Sequence, residues 1–252
     1  MDRMIHTVMN SIASMQEKRT ISAQNLANQN VPGFRRDLPT DGEARFVTEF
    51  ESLDARAFQT VRAAAQFSDA QGFLDATGNP FDLAIAEEGY FYAQREGGAP
   101  GLSRRGDMRV GSDGTLRDGA GQMMLDADLQ PIVLPPNQGF QVSEVGQIFI
   151  EPLGAQPGER LEVALLATMV PADGLRLEKG LDGLIRPVDA EMPPPDQGAK
   201  ILQGSLEGSN VNATEELITS IEMQREFELN IRLIAQAKEL DEAGASLMRL
   251  PT

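Results

Sequence analysis

The sequence predicts an α+β multidomain fold. Long N- and C-terminal helices pack as a discontinuous, coiled-coil-like domain, and an all-β domain is inserted between them. Three observations predict it. Apolar residues recur at helical spacing across residues 2–29, and again across 210–252. Between these ends the period drops to two, and turn dipeptides become frequent. Neither terminal stripe can be buried by its own helix, and isolated helices gain little from propensity alone, so the two ends are expected to pack on each other and on neighbouring copies.

At the N-terminus Ile5, Val8, Ile12 and Met15 are spaced three or four apart, with Met9 and Ala13 widening the stripe. No Gly or Pro interrupts it before Pro32-Gly33, which is a stop signal. At the other end Asn212 and Glu215 read as an N-cap with a glutamate three residues on. Leu217, Ile221, Phe227, Ile231, Ile234, Leu240 and Leu247 continue as an amphipathic helix, with Glu222, Arg225, Glu226 and Arg232 on the intervening surface. The alternative, two ordinary helices covering the β domain, is compatible with the same pattern.

The middle region reads as short strands. Phe81, Leu83 and Ile85 alternate with Asp82 and Ala84, and Tyr90-Phe91-Tyr92 follows Glu88-Gly89. Met108 and Val110 precede Asp113-Gly114, and further strands lie at Ile148–Ile150 and Leu161–Leu166. This gives four expected segments: a terminal helical domain of 1–36 plus 203–252, an extended arm at 37–75, an all-β domain at 76–186, and a connector at 187–202. Pro193-Pro194-Pro195 keeps that connector from being regular helix.

Composition excludes much chemistry. The chain of 252 residues has no Cys, which removes disulfides, thiolate catalysis and Cys-ligated metals. Its one His, His6, cannot build a multi-histidine centre and reads as a surface or interface residue rather than a general base. The net charge of −16 repels phosphate backbones, so no nucleic-acid partner is expected. Most of that charge is central: residues 1–45 carry 6 basic and 5 acidic side chains, and residues 210–252 carry 4 and 8. The longest apolar run, near Ala164–Val170, is broken by Thr168 and far short of the ~20 residues that span a bilayer, so no membrane insertion is expected. The stretch Met1–Asn10 is too polar to contain an unbroken h-region, so no secretory signal peptide is expected.

No catalytic, cofactor or metal constellation emerges, so no enzyme and no cofactor are expected. No G-x-S-x-G, P-loop or G-x-G-x-x-G is present. Asp113-Gly114, Asp118-Gly119 and Asp126-Ala127-Asp128 hint at calcium, but Gln130 and Pro131 break the EF-hand spacing, and Asp-Gly is ordinary hairpin-turn chemistry. Arg105-Gly106-Asp107 is read as a turn with flanking charges. Paired carboxylates of the glycosidase kind remain open among 38 acids, although carbohydrate clefts usually present aromatic platforms and this chain has no Trp. An acidic β-rich hydrolase or a monomeric binding module is therefore the competing class.

Four stretches, in order along the chain, resemble one family. They are Ser22–Asp37, with Asn25-Leu26-Ala27-Asn28 leading to Gly33-Phe34-Arg35; Ala76–Ile85, continuing to Gly89-Tyr90-Phe91; Ser103–Met108, continuing through Asp113-Gly114-Thr115-Leu116; and Gln203–Asn212, running into the last helix with Gln224-Arg225. Together they are similar to the flagellar basal-body rod and hook proteins. Pro32 and Phe81 depart from the family pattern but keep its turn and apolar character. The resemblance implies an axial structural subunit that is exported by the flagellar type III apparatus without a cleaved signal peptide. It implies polymerisation with copies of itself and other rod proteins into a rod crossing the periplasm, proximal or distal, that transmits torque. It also implies an assembly interface in which Ile5, Val8, Ile12 and Leu26 pack with Leu217, Ile221, Phe227, Ile231 and Ile234. Asn25 and Asn28 would satisfy backbone groups where the first helix ends, and Gly33 and Phe34 would turn the chain into the arm.

Overall fold

In a computed structural model of the protein, residues 2–39, 66–154, 156, 158–188 and 190–248 are described, apart from the helix side chains of residues 2–11, 13, 237, 240, 241 and 244–248, so Leu240 and Leu247 of the expected stripe lie outside the described side chains. The chain divides into two units, residues 1–29 with 211–252, and residues 30–210.

The first unit is a pair of helices, α1 (Asp2–Ala27) and α2 (Ala213–Met248). At about 1.5 Å per residue they extend roughly 39 and 54 Å. The end of α1 is closed by the Asn28 amide, whose Nδ2 donates to the Gln24 carbonyl at 2.8 Å. The start of α2 is capped by Asn212, whose Oδ1 accepts from the Thr214 and Glu215 backbone N–H groups at 3.1 and 3.4 Å. Ser22 meets Glu216, while seven residues back along α1 and seven on along α2 both Met15 and Met223 are buried, so the helices run antiparallel. No described helix is long and apolar enough to cross a membrane.

Among the described residues the second unit has fifteen strands, all paired antiparallel. They are β1 (Leu74–Ala76), β2 (Leu83–Ile85), β3 (Tyr90–Gln94), β4 (Pro100–Ser103), β5 (Arg109–Val110), β6 (Leu116–Arg117), β7 (Met123–Met124), β8 (Asn137–Val142), β9 (Gln147–Pro152), β10 (Leu161–Leu165), β11 (Thr168–Met169), β12 (Leu177–Lys179), β13 (Ile185–Pro187), β14 (Ile201–Gln203) and β15 (Ser205–Glu207). The main sheet runs β12-β13-β4-β3-β7-β6-β5, with β11 also on β3. A second sheet, β10-β9-β8, carries Ile148 and Ile150 into a core shared with Leu83, Phe91, Met124 and Leu166. Two short pairs, β1 with β15 and β14 with β2, close the unit.

The alternation expected at 81–85 is not what the fold uses. Leu83, Ala84 and Ile85 are all buried: β14 pairs along one edge of β2, and Leu83 and Ile85 lie in the core with Phe91, Met124 and Leu166. The same holds at Tyr90-Phe91-Tyr92, which occupy the sheet centre and feed two cores. The proline-rich stretch is irregular, and its Pro193 carbonyl accepts from the Tyr92 hydroxyl at 2.6 Å. Of the expected arm, Asp37 bridges Phe67, with the Leu38 N–H donating to the Gln66 carbonyl at 2.9 Å. Residues 40–65, with Phe46, Phe50 and Phe58, lie outside the described residues.

Candidate assembly surface

The helical unit carries most of the expected interface. The side chains of Ile5 and Val8 lie outside the described residues. Ile12 and Leu26 are half-buried, and so is Ile234. The most deeply buried of the described side chains on α1 and α2 were not all on the expected stripe. They are Met15 and Met223, together with the polar trio Ser22, Asn25 and Glu216. Ser22 Oγ donates to Glu216 Oε2 at 2.6 Å, and Asn25 Nδ2 donates to Glu216 Oε1 at 3.2 Å. Asn25 reaches across the helix pair, and Asn28 closes the helix end.

Elsewhere α2 leaves its apolar side chains in solvent. Leu217 is 51% exposed, Ile221 53%, Leu229 58% and Ile231 46%, and Phe227 is 39% exposed. At about 100° per residue, Leu217, Ile221 and Ile231 fall on one flank of the Glu216–Met223 stripe, and Ile218, Leu229 and Leu233 fall away on the other side. A helix this apolar around its circumference has faces to cover beyond the single one α1 takes.

Sequence reasoning missed a second cluster, within residues 30–210. Glu207 is 1% exposed and sits between two buried guanidinium groups, Arg35 at 2.9 Å and Arg104 at 3.1 Å. Its Oε1 also accepts from the Gly72 N–H at 3.0 Å, and its own carbonyl accepts from the Gly33 N–H at 2.8 Å. Arg35 continues to the Ala70 carbonyl, and Arg104 donates to the Glu87 carbonyl at 2.5 Å and lies 5.4 Å from the Tyr90 ring centroid. Burial pulls Arg104 below its ordinary pKa, with Glu207 opposing the shift. Next to this cluster Asn210 accepts from the Arg36 N–H at 2.6 Å and donates to the Ser68 and Ala70 carbonyls at 2.9 and 2.7 Å. Lys179 adds bonds to the Arg35 carbonyl and Asp37, and lies 3.7 Å from the Phe34 ring centroid.

These contacts join the stretch by which the chain comes into the β unit, 33–38, to the stretch by which it leaves, 205–210. Gly33 is essential to the approach: its φ is +65°, and a Cβ there would overlap the Arg104 carbonyl oxygen. The available signal was the pair of motifs Gly33-Phe34-Arg35 and Leu206-Glu207-Gly208. Nothing in a linear sequence says that their charges meet.

The acidic turns hold their own backbone. Asp113 accepts from the Thr115 hydroxyl and N–H and from Arg117, and these bonds lower its pKa to about 2. Asp118 accepts from Ala120 and Gln122 N–H groups, and Asp126 from those of Asp128 and Gln130. In Arg105-Gly106-Asp107 the two charges bond to each other, and a Cβ on Gly106 would overlap the Leu83 carbonyl oxygen, so the tripeptide is folded against β2.

Residues 202–247 match the family model described as the flagellar basal body rod FlgEFG protein C-terminal region. The chain is 28% identical to the flagellar basal-body rod protein FlgF of Salmonella typhimurium, over 99% of this chain and 100% of that protein. It is 28% identical to FlgF of Escherichia coli over 97% and 96%. To the rod protein FlgG of Bacillus subtilis it is 26% identical over 98% and 99%.

Proposed function

We infer the detailed role of this chain from a premise: it is a flagellar basal-body rod protein of the FlgF type, a structural rod subunit of the flagellar basal body. It assembles there with other rod components. On this reading copies of the chain polymerise in a helical, torque-transmitting proximal rod across the periplasm, reached through type III export. The subunit has no catalytic duty, because what it contributes is surface. The helical unit supplies two helices that pack coiled-coil fashion, and the β unit is inserted between them along the chain.

The observation that carries this reading is the set of large apolar side chains that α2 leaves exposed. Fully burying one Leu or Ile contributes roughly 1.5–3 kcal/mol, so several of them exposed on one helix amount to a surface that favours association. Leu217, Ile221, Phe227 and Ile231 are the proposed contacts on α2, with Ile12, Leu26 and Ile234 at the margin of the intrachain pair. Ile5 and Val8 extend the proposed surface toward the start of α1. Within the helical unit Asn25 and Asn28 hold the helix pairing and the helix end, and within the β unit Gly33 and Phe34 hold the turn by which the chain enters it. Heterologous contacts of this kind repeat without closing and generate a helical lattice.

The absence of native Cys makes the test direct. Leu217→Cys and Leu229→Cys are reacted with a maleimide in the free chain and in isolated basal bodies. The free chain reacts readily, and assembly protects both positions at least about tenfold. Equal reactivity in the two states refutes the reading.

A further inference from the structure

We propose that Glu216 is the residue that fixes which face of α2, and which register along it, α1 accepts. The inference rests on the assembly reading above, since it explains how one helix can be apolar on several sides and still pair correctly within its own chain.

Apolar burial is non-directional. The faces carrying Leu217, Ile221 and Ile231, or Ile218, Leu229 and Leu233, offer α1 apolar area much as the native face does. Apolar packing alone therefore discriminates poorly among faces, among registers one turn apart, and between α1 of the same chain and α1 of a neighbour. A buried carboxylate removes that ambiguity. Glu216 is 2% exposed and receives Ser22 Oγ and Asn25 Nδ2 on its two oxygens. A shift by one turn moves these donors by about 5.4 Å, beyond hydrogen-bond reach. The carboxylate would then lose them while still enclosed, and a buried charge deprived of its partners is strongly disfavoured. Rotating α2 to present another face instead leaves Ser22 and Asn25 against apolar side chains, with their hydrogen-bonding capacity unmet.

The spacing gives the key its register. Ser22 meets Glu216, and the buried Met15 and Met223 each lie seven residues, about two turns, beyond that contact on their own helices, so an antiparallel pairing sets them at the same level. Only one alignment satisfies both. A single polar residue in an otherwise apolar helix interface is the best-attested means of fixing register. Glu216 is in this sense a positioning residue: it costs stability relative to an apolar side chain and returns a unique pairing.

The test uses the full chain, with cysteine pairs that report position. Met15→Cys is combined with Met223→Cys in register, with Thr219→Cys one turn away, or with Ile221→Cys on another face. Each pair is oxidised through a short bifunctional thiol reagent. With Glu216 present, the 15/223 product forms at least about tenfold faster than the other two and than cross-linked dimers. Glu216→Gln, which keeps the shape, accepts from Asn25 Nδ2 through its oxygen and donates to Ser22 Oγ through its amide nitrogen, retains that preference. Glu216→Leu keeps or raises helical content by circular dichroism, while the three intrachain products come within about threefold of one another and dimers appear.

The proposal is overturned if Glu216→Leu leaves the preference intact, if it simply loses its helices, if Glu216→Gln scrambles the products equally, or if the parent shows no preference. Failure of the assembly reading is separate. It is read from maleimide protection at Leu217→Cys and Leu229→Cys, which does not depend on how α1 aligns.

Discussion

Glu207→Ala is expected to be the most damaging single truncation in the β unit. The carboxylate engages Arg35 at 2.9 Å, Arg104 at 3.1 Å and the Gly72 N–H at 3.0 Å, and all three lose it at once. Both guanidinium groups stay enclosed: Arg35 is 2% exposed and Arg104 5%. Arg35 Nε and Nη2 and Arg104 Nε already have no acceptor among the described residues, so the carboxylate is their principal compensation. Removing one partner of a buried ionic cluster costs about 3–5 kcal/mol, against about 5–15 kcal/mol of total stability for a typical domain. At a urea slope of about 2 kcal/mol per molar, the midpoint falls by roughly 1.5–2.5 M. Tyrosine fluorescence reports this unit alone, because the chain has no Trp and its two Tyr, Tyr90 and Tyr92, both lie within residues 30–210. A double substitution, Arg104→Met with Glu207→Leu, is expected to cost less than the two single changes summed. A Glu207→Ala loss below about 1 kcal/mol, the scale of an exposed ion pair, would refute the reasoning.

Phe227→Ala lowers the helical stability of the free chain by about 1–2 kcal/mol, since the ring is already partly exposed, but approaches the 3–5 kcal/mol of a buried aromatic in the assembled rod. Thermal melts at 222 nm set beside rod yield separate the two, and normal motility in the variant would contradict the packing role. Gly33→Ala costs at least about 2 kcal/mol more than Gly78→Ala in urea unfolding, because both have positive φ but only the Gly33 position would push a Cβ into backbone. Equal losses would show that the Arg104 backbone yields freely. Burial, with Asp196 adding, pushes the Tyr92 hydroxyl up to about 12, and Tyr90 is also raised, first by burial and then by Asp69. The stability from Tyr92 is thus complete below the ordinary value of about 10 and is lost as the pH rises through about 12. Absorbance at 295 nm should show no tyrosinate step near pH 10 in the folded chain, and such a step would contradict the burial of both rings.

How far the sequence could be read depended on whether its signals were local. Both helices, the Asn212 cap and the Pro32-Gly33 stop follow from spacing and neighbours a few residues away, and α1 and α2 fall where those signals put them. The Asp-Gly turns were equally legible, because Asp113 acts on Thr115 and Arg117, which follow it directly. At β2 the same method misjudged burial. Asp82 and Ala84 alternate with apolar neighbours, yet both are buried together with Leu83 and Ile85, on a strand whose edge is paired by β14, more than a hundred residues on.

The sequence by itself determined the two long helices, the run of short strands between them and the absence of thiol chemistry, since each rests on local periodicity or on composition. Only the tertiary structure decided that Glu216 is enclosed by Ser22 and Asn25, and that Glu207 binds Arg35 and Arg104. The reason is physical. A glutamate on a helix or at a strand end is by default a solvated surface charge. What turns it into a buried organising group is the arrival of donors from segments more than a hundred residues distant, and that proximity is created by folding.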